Sequence, residues 1–308
     1  MKTLFIVNPA AGHGRAVDRW QSGVARVRAG HPATEVWHTK ARGDGAKLAV
    51  RGLEQGFEAV FAVGGDGTLG EVVDGFLGAP APLRARAVLG TWPLGSGCDT
   101  ARHLGIRADA GPEGLLALLK AKKVRQLDAG RIDFTSATGA PAQRFFINVA
   151  AWGLAGEVVR RMETGGKPFG GTVSYLLSSV RAVLGTSPQA LDLMLDGVRL
   201  PRASYHLVAV ANTSSFGGGM RIAPAADPSD GLLDVVAVAG LSRLELLRHF
   251  PKVYRGEHIG IEGVLHRRVR RLEAVGEGDI PLNIDGESLG SLPAVIEVLP
   301  AAVPFLVP

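Results

Sequence analysis

The stretch Val60-Phe61-Ala62-Val63-Gly64-Gly65-Asp66-Gly67-Thr68 decides the fold, because a buried-type strand runs directly into three glycines set around one carboxylate. Glycine permits positive φ, and it lets a backbone turn its N–H groups toward a ligand that could not approach a chain carrying Cβ atoms. Such a loop suits a phosphate. A helix is predicted over about 68–76, and its N-terminus would add partial positive charge at the same spot. Asp66 fits beside an anion only if a magnesium ion or a hydroxyl stands between them. The competing reading is a glycine-rich turn whose aspartate caps the helix. A cap alone needs one glycine at most, and this loop has three.

Working outward, two more segments repeat the pattern. The apolar run Leu4-Phe5-Ile6-Val7 leads into Asn8-Pro9-Ala10-Ala11-Gly12-His13-Gly14-Arg15, and the strand at 87–89 leads into Pro93-Leu94-Gly95-Ser96-Gly97-Cys98-Asp99-Thr100-Ala101-Arg102. Strands near 4–7, 35–38, 59–63 and 87–89 alternate with helical-period stretches near 16–28, 45–55 and 69–77, the βαβ pattern of a parallel sheet. Short helices from about 99 and 112 close this part near 122. All three loops then lie at the carboxyl ends of strands, where ligands of such sheets bind.

Beyond residue 124 the chain reads as β-rich, with strands near 125–132, 145–149, 190–195, 205–211, 232–237, 266–275 and 281–284, which suggests a sandwich. Helices are predicted at 172–184, with Val173, Leu176, Leu177, Val180, Val183 and Leu184 along one face, and at 243–254. A last strand is predicted over 294–299. The division expected is an α/β nucleotide-binding domain at 1–123 and a β-sandwich substrate domain at 124–292, with an active-site cleft between them.

NPAAG, GGDGTLGE and PLGSGCDTAR, followed late in the chain by Asn283-Ile284-Asp285-Gly286-Glu287, resemble the signature motifs of the diacylglycerol kinase catalytic-domain family, which includes bacterial lipid kinases and sphingosine kinases. Their order and spacing extend the resemblance over essentially all 308 residues. It implies a phosphofructokinase/NAD kinase-like first domain on which segment 293–308 packs back. It implies ATP-dependent transfer of the γ-phosphoryl group to a lipid hydroxyl, diacylglycerol foremost. The nucleotide would be held at Asn8, Pro9, Gly12, Thr39, Gly64, Gly65, Asp66, Gly67, Thr68, Glu71, Gly95 and Ser96. Asp285 would accept the proton of the lipid hydroxyl with Glu287 assisting, and Asp66 would be the third catalytic acid. A structural Mg2+ would sit on Asp227, Asp230 and the carbonyl of Leu232; a solvated Asx turn is the other reading of that segment. Asn212 to Met220, with its three consecutive glycines, resembles the family's segment facing the lipid.

The chain departs from the family pattern at a few positions. Gly70 stands where GGDGT-x-N-E has asparagine; Ser96, Cys98 and Thr100 replace the threonine, asparagine and phenylalanine of G-T-x-N-D-F-A-R. Ser96 keeps a hydroxyl, whereas Gly70 and Cys98 lose amide side chains. Cys98, at a predicted helix start, reads either as a reactive thiol of lowered pKa or as a tolerated small residue. Lys40 and Arg42, after Thr39, are further phosphate candidates.

Hydrophobic residues at 46% and charged residues at 20% describe an ordinary globular chain, with no apolar run of membrane-spanning length. The apolar start is too short for a secretory signal, and a single cysteine allows no internal disulfide, so a cytoplasmic protein, peripheral at the inner membrane face, is expected. The net charge of +5 admits anionic partners. Its one dense cluster, Arg267, Arg268, Arg270 and Arg271, lacks interleaved aromatic residues, which argues against nucleic acid and leaves a solvated edge strand or a transient membrane contact. A homodimer stays open. Histidines show no ligand spacing for zinc. Two rivals remain: an NAD kinase-like small-molecule kinase sharing the Gly-Gly-Asp-Gly loop, and a non-catalytic nucleotide- or lipid-binding homologue. The NPAAG and DPSDGLLD segments speak against the first, and retention of Asp66, Asp285 and Glu287 against the second.

Overall fold

The computed structural model describes residues 1–165 and 180–308, the side chains of 13–17 and 161–165 excepted. Two compact units divide the chain: Met1–Leu127 with Ala301–Pro308, and Asp128–Pro300. The divide falls after Leu127 where 123 was expected, and the return begins at Ala301 rather than 293.

In the first unit, β1 (Thr3–Val7) pairs in parallel with β2 (Thr34–His38) and β3 (Ala59–Gly64), and β3 with β4 (Val88–Pro93). Every residue of β1 and β3 is buried, as a parallel strand covered on both faces requires. Phe305, near the chain's end, pairs with Leu89 of β4. The helices are α1 (Arg15–Gly30), α2 (Asp44–Glu54), α3 (Asp66–Gly78), α4 (Ala81–Arg84), α5 (Asp99–His103) and α6 (Gly111–Ala121). Phe5 packs against Trp20 and Phe61 at ring separations of 5.2 and 5.1 Å, and Trp20 against Trp92 at 5.2 Å, so aromatic pairs fill one face of the sheet. β4 runs to Pro93, past the 87–89 expected. The Phe61 ring occupies the space a Cβ at 90 would take, 2.4 Å away, so the strand needs glycine there.

The second unit is β-rich, and the first residues of β5 and the last of β15 belong to the first unit: β5 (Val124–Ser136), β6 (Pro141–Phe146), β7 (Val149–Gly153), β8 (Gln189–Leu195), β9 (Val198–Arg199), β10 (Ala203–Ala211), β11 (Leu233–Ala239), β12 (Val264–Val269), β13 (Arg271–Gly276), β14 (Pro281–Ile284) and β15 (Glu287–Leu306). The antiparallel order β12-β11-β10-β7-β14-β15 forms its spine. β10 shows how the sheet sorts its faces: Val208 and Val210 enter the sandwich core, while Ala209 and Ala211 face the helical side, where small side chains let α7 (Leu154–Gly165) pack closely. Helix α7 was not anticipated. The second anticipated helix is α8 (Arg243–Arg255), opened by a capping box in which Ser242 and Glu245 bond each other's backbone N–H. The helix expected at 172–184 lies outside the described residues up to 179; 180–185 are helical.

Two strands read as continuous are broken, each by an aspartate. The expected 145–149 strand parts between β6 and β7, because the N–H groups of Ile147, Asn148 and Val149 donate to Asp285 (3.0–3.1 Å). The expected 266–275 strand parts between β12 and β13, because the N–H groups of Arg270 and Arg271 donate to Asp196 Oδ1 at 2.9 and 2.8 Å. Among the described residues no helix is long and apolar enough to cross a membrane.

Candidate functional site

Within the first unit the three glycine loops converge. Asn8 Nδ2 donates to Thr68 Oγ1 at 3.0 Å, and Asn8 Oδ1 accepts from the N–H of Ala10, so the side chain fixes its own loop and the start of α3 together. Gly12 has φ +59, and a Cβ there would lie 2.6 Å from the Leu94 carbonyl. A Cβ on Gly95 would lie 2.4 Å from Gly65 Cα, so two backbones touch with no side chain between them. The expectation of positive φ in the Gly64–Gly67 loop is corrected: Gly65 is extended at φ −104, ψ −168, and neither it nor Gly64 is left-handed. These glycines serve close approach, Gly64 beneath Thr68, whose Oγ1 would be 2.5 Å from an added Cβ. Gly65 is the N-cap of α3, so the N–H groups of Asp66, Gly67 and Thr68 are first-turn donors outside the helix's own ladder. With Ser96 exposed beside Gly95, the rim combines helix-terminal N–H groups and a hydroxyl, a setting for phosphate.

Two acids assigned to the nucleotide do something else here. Asp66 directs Oδ2 to the N–H of Asp99 and Oδ1 to that of Thr100, both at 3.0 Å, tying the β3 loop to α5. Although the residue is partly exposed, its carboxyl lies deep. Burial, and then the Asp99 carboxylate, push its pKa upward against the two N–H bonds. Glu71, buried, accepts the N–H groups of Gly43 and Gly45, both at 2.8 Å, and so clamps α3 to the start of α2 and the loop after Thr39. Both acids are positioning residues in this arrangement. Thr39, also buried, donates its N–H to the Val7 carbonyl at 2.9 Å; the N–H groups of Lys40 and Ala41 go to Asp44, whose pKa they lower. Cys98 has φ +52, and burial, then the charge of Asp66, push its thiol up to about 12, which corrects the reactive-thiol reading.

In the second unit, Asp285 and Gly286 have φ +49 and +90, making a two-residue hairpin turn from β14 to β15. The turn anticipated as the alternative to catalysis is therefore present, and it aims the Asp285 carboxylate into the β6–β7 break, where three backbone N–H groups hold it. Glu287 pairs with Arg144 at 3.3 Å, both largely buried. Sequence reasoning missed the polar cluster around them. Asn212 Nδ2 bonds the carbonyls of Asp128 and Ile147, Thr213 Oγ1 donates to Asn148 Oδ1, and the side chains of Asn212, Thr213 and Asn148 are all buried. The signal was visible as single polar residues interrupting apolar strands, each of which must find partners when buried.

The 227–232 loop is held by itself. Asp227 Oδ1 accepts from the N–H and hydroxyl of Ser229, Asp230 Oδ1 accepts the N–H of Leu232, and Asp230 Oδ2 pairs with Arg268. The buried Asp128 adds an acceptor for the N–H of Gly231 at 2.7 Å. A cation would have to displace a guanidinium from Asp230, so this set does not fit the expected magnesium. The basic cluster changes likewise: Arg268 is paired with Asp230 and Arg271 with Glu273 and Glu297.

An apolar pocket completes the picture. It encloses about 790 Å³ of atom-free space, its open mouth included, between α7, α8 and the faces of β10 and β11. Leu246, His249, Phe250 and Val253 line it at helical spacing from α8. Phe216 and Met220 are set side by side by mutual backbone bonds of 3.0 Å across Gly217, Gly218 and Gly219, all at positive φ, so the glycine-rich segment is a closed turn with its two large residues in the pocket wall.

Known proteins share this architecture. Residues 2–132 match the diacylglycerol kinase catalytic domain, and residues 148–307 match the YegS C-terminal NAD kinase beta sandwich-like domain. A diacylglycerol kinase of Mycobacterium tuberculosis is 31% identical over 308 residues, covering 100% of this chain and 95% of that protein. One of Bacillus subtilis is 30% identical, covering 95% and 91%. Among solved structures, a diacylglycerol kinase from Bacillus anthracis superposes with a TM-score of 0.70 at 22% identity, covering 100% of this chain and 97% of its own. An NAD kinase from Archaeoglobus fulgidus in complex with ATP gives 0.50 at 16%, covering 99% and 93%. The chain thus belongs to the diacylglycerol kinase family and is a kinase, a phosphotransferase.

Proposed function

We propose that this kinase transfers the γ-phosphoryl group of ATP to the hydroxyl of a lipid, diacylglycerol foremost. The observation that carries the lipid half is the pocket beneath α8, whose lining is apolar apart from His249 and His258. Such a cavity suits an acyl chain and offers nothing to a nicotinamide nucleotide, whose ribose and amide groups need polar partners. That disfavours the NAD kinase-like reading. The diacylglycerol kinase names of the M. tuberculosis and B. subtilis relatives point the same way.

On this reading the backbone of the Asn8, Gly65 and Gly95 loops receives the nucleotide phosphates. The lipid oxygen forms a bond to the γ-phosphorus as the bond to the departing ADP oxygen breaks, and the hydroxyl proton passes to an Asp285 carboxylate oxygen. The three N–H groups fix that carboxylate in place before substrate arrives, which is what proton transfer at a set position requires. Glu287 and Arg144, as a pair, support the turn. Magnesium would arrive with the nucleotide, where phosphoryl transfer uses it to neutralise charge.

The substrate lies in a bilayer, so the kinase must reach one. Two exposed apolar side chains, Leu184 at 53% and Leu244 at 77% exposure, stand within two residues of the pocket-lining Val183 and Leu246, and α8 carries Arg243, Arg248, Lys252 and Arg255. We assign peripheral membrane contact to this apolar and basic surface. Incubation with γ-labelled ATP and a panel of diacylglycerol, monoacylglycerol, sphingosine and NAD tests the function. Label in diacylglycerol is the expected result; label only in NAD, or in nothing, refutes it.

A further inference from the structure

The break between β6 and β7 that holds Asp285 is itself held from behind. Ala211, the last residue of β10, pairs with Val149, so the antiparallel register sets Asn212 across from Asn148. The Asn212 N–H donates to the Asn148 carbonyl at 2.8 Å, and Asn212 Nδ2 donates to the carbonyls of Ile147 at 2.8 Å and Asp128 at 2.9 Å. A trans peptide unit is planar, with its C=O and N–H pointing in opposite directions. Asn212 therefore takes the oxygen end of the unit joining Ile147 to Asn148, whose N–H donates to Asp285 Oδ1 at 3.0 Å. It also takes the oxygen end of the unit joining Asn148 to Val149, whose N–H donates to the same carboxylate oxygen at 3.1 Å. Thr213 adds a further hold, its hydroxyl donating to Asn148 Oδ1. Burial alone obliges polar groups to find partners. It does not oblige one residue to take the far ends of the two peptides whose near ends meet one carboxylate oxygen.

We propose that Asn212 is a positioning residue for phosphoryl transfer, acting through these two peptide units to fix Asp285 Oδ1 for the proton of the acceptor hydroxyl, with Thr213 bracing Asn148 beside it. This inference rests on the reading of Asp285 as the proton acceptor. A peptide that accepts a bond at its oxygen is polarised, so the N–H it presents to the carboxylate binds more strongly. Without that hold the peptides can tilt, and a misplacement of about 1 Å at a reacting group costs on the order of 10²-fold in rate.

The test compares Asn212→Leu, Thr213→Val and Thr213→Ser with the parent, with γ-labelled ATP and diacylglycerol, at a temperature where circular dichroism shows each protein folded. Asn212→Leu should lower kcat by about ten- to a hundredfold while ATP affinity by calorimetry stays within about twofold of the parent's. Thr213→Val should lower kcat by about threefold or more, and Thr213→Ser, which keeps the hydroxyl, should restore it. A readout that needs no turnover comes from protein labelled with 15N-asparagine and 15N-valine. The amide protons of Asn148 and Val149 should resonate downfield in the parent, as charge-assisted donors do, and move upfield in Asn212→Leu and Thr213→Val. Should Asn212→Leu fail to fold, the Thr213 pair decides. Parent-like kcat in folded Asn212→Leu or Thr213→Val, a loss in Thr213→Ser equal to that in Thr213→Val, or ATP affinity falling by the same factor as kcat overturns the proposal while leaving the proton-acceptor reading intact. Parent-like turnover in Asp285→Asn refutes that reading, and this proposal with it.

Discussion

The contrast between Gly65 and Gly95 makes the phosphate cradle testable without disturbing the fold. A Cβ added to Gly65 would meet only Gly95 Cα, at 3.4 Å, an ordinary contact, and its φ of −104 suits any residue. A Cβ added to Gly95 would lie 2.4 Å from Gly65 Cα and 2.9 Å from its N, so the two loops would have to part by about 1 Å to reach that ordinary contact distance. Gly65→Ala should therefore fold with a Tm close to the parent's, and Gly95→Ala should lower it. ATP binding should fall in both. In Gly65→Ala the protein alone has room for the methyl group, so any loss comes from the space the ligand needs. Hydrogen bonds to a charged group contribute roughly 1.5–3 kcal/mol each. Losing one weakens ATP binding about ten- to a hundredfold at about 1.4 kcal/mol per decade. Calorimetric titration of ATP into both variants, beside thermal melts, measures this. Unchanged ATP affinity in a folded Gly65→Ala protein would refute the cradle and leave the loop a structural turn.

Asp285→Asn should lower turnover by ~10²-fold or more with ATP affinity kept, and because an amide cannot serve all three N–H groups it should also lower the Tm; turnover within a few fold of the parent would remove Asp285 from the chemistry. Glu71→Gln leaves one of two backbone donors, at Gly43 or Gly45, facing an NH2 group, and should cost about 1–3 kcal/mol in urea unfolding; no change would show that the clamp contributes nothing. Cys98→Asn places at φ +52 a residue that tolerates the left-handed region, and should raise the Tm by about 2–4 °C for each kcal/mol of relieved strain; a lower Tm would mean that the thiol's packing outweighs the strain. Since burial pushes the Cys98 thiol up to about 12, it stays protonated at neutral pH, and modification by a thiol reagent should follow global unfolding; labelling much faster than unfolding would contradict the burial.

Much of the first unit could be read from the sequence because parallel βαβ units repeat one signal: an apolar run, a glycine loop and an amphipathic helix. What could not be read was why each glycine was there. Positive φ is the general reason for glycine in loops, and it holds at Gly12; at Gly64, Gly65 and Gly95 the reason is a neighbour from another loop, which only the assembled backbone reveals. The strand expected at 87–89 continues through Gly90 for a similar reason, since the Phe61 ring that requires glycine there lies on the adjacent strand.

The acids were harder still, because a carboxylate that will bind a ligand and one that will bind the protein's own N–H groups look alike in a sequence. Asp66 and Glu71 stand in the phosphate motif, yet each spends both oxygens on backbone donors, at Asp99 and Thr100 and at Gly43 and Gly45. Asp196 and Asp285 break strands that the apolar pattern ran straight through, because each carboxylate offers backbone N–H groups an alternative to a ladder partner. The same chemistry has opposite consequences by location. At Asp196 it ends a strand at an exposed corner, whereas at Asp285 it fixes a buried carboxylate, the one proposed above to receive the hydroxyl proton. The motif Asn-Ile-Asp-Gly-Glu thus encodes a turn and a site together: Asn283 Oδ1 accepts the N–H of Gly286 at 2.9 Å to close the turn, and the turn's left-handed backbone is what points Asp285 inward. Replacing Asn283 by Asp, which keeps an acceptor, should therefore preserve turnover better than Asn283→Leu. Equal loss in the two would mean that the turn is held without that bond.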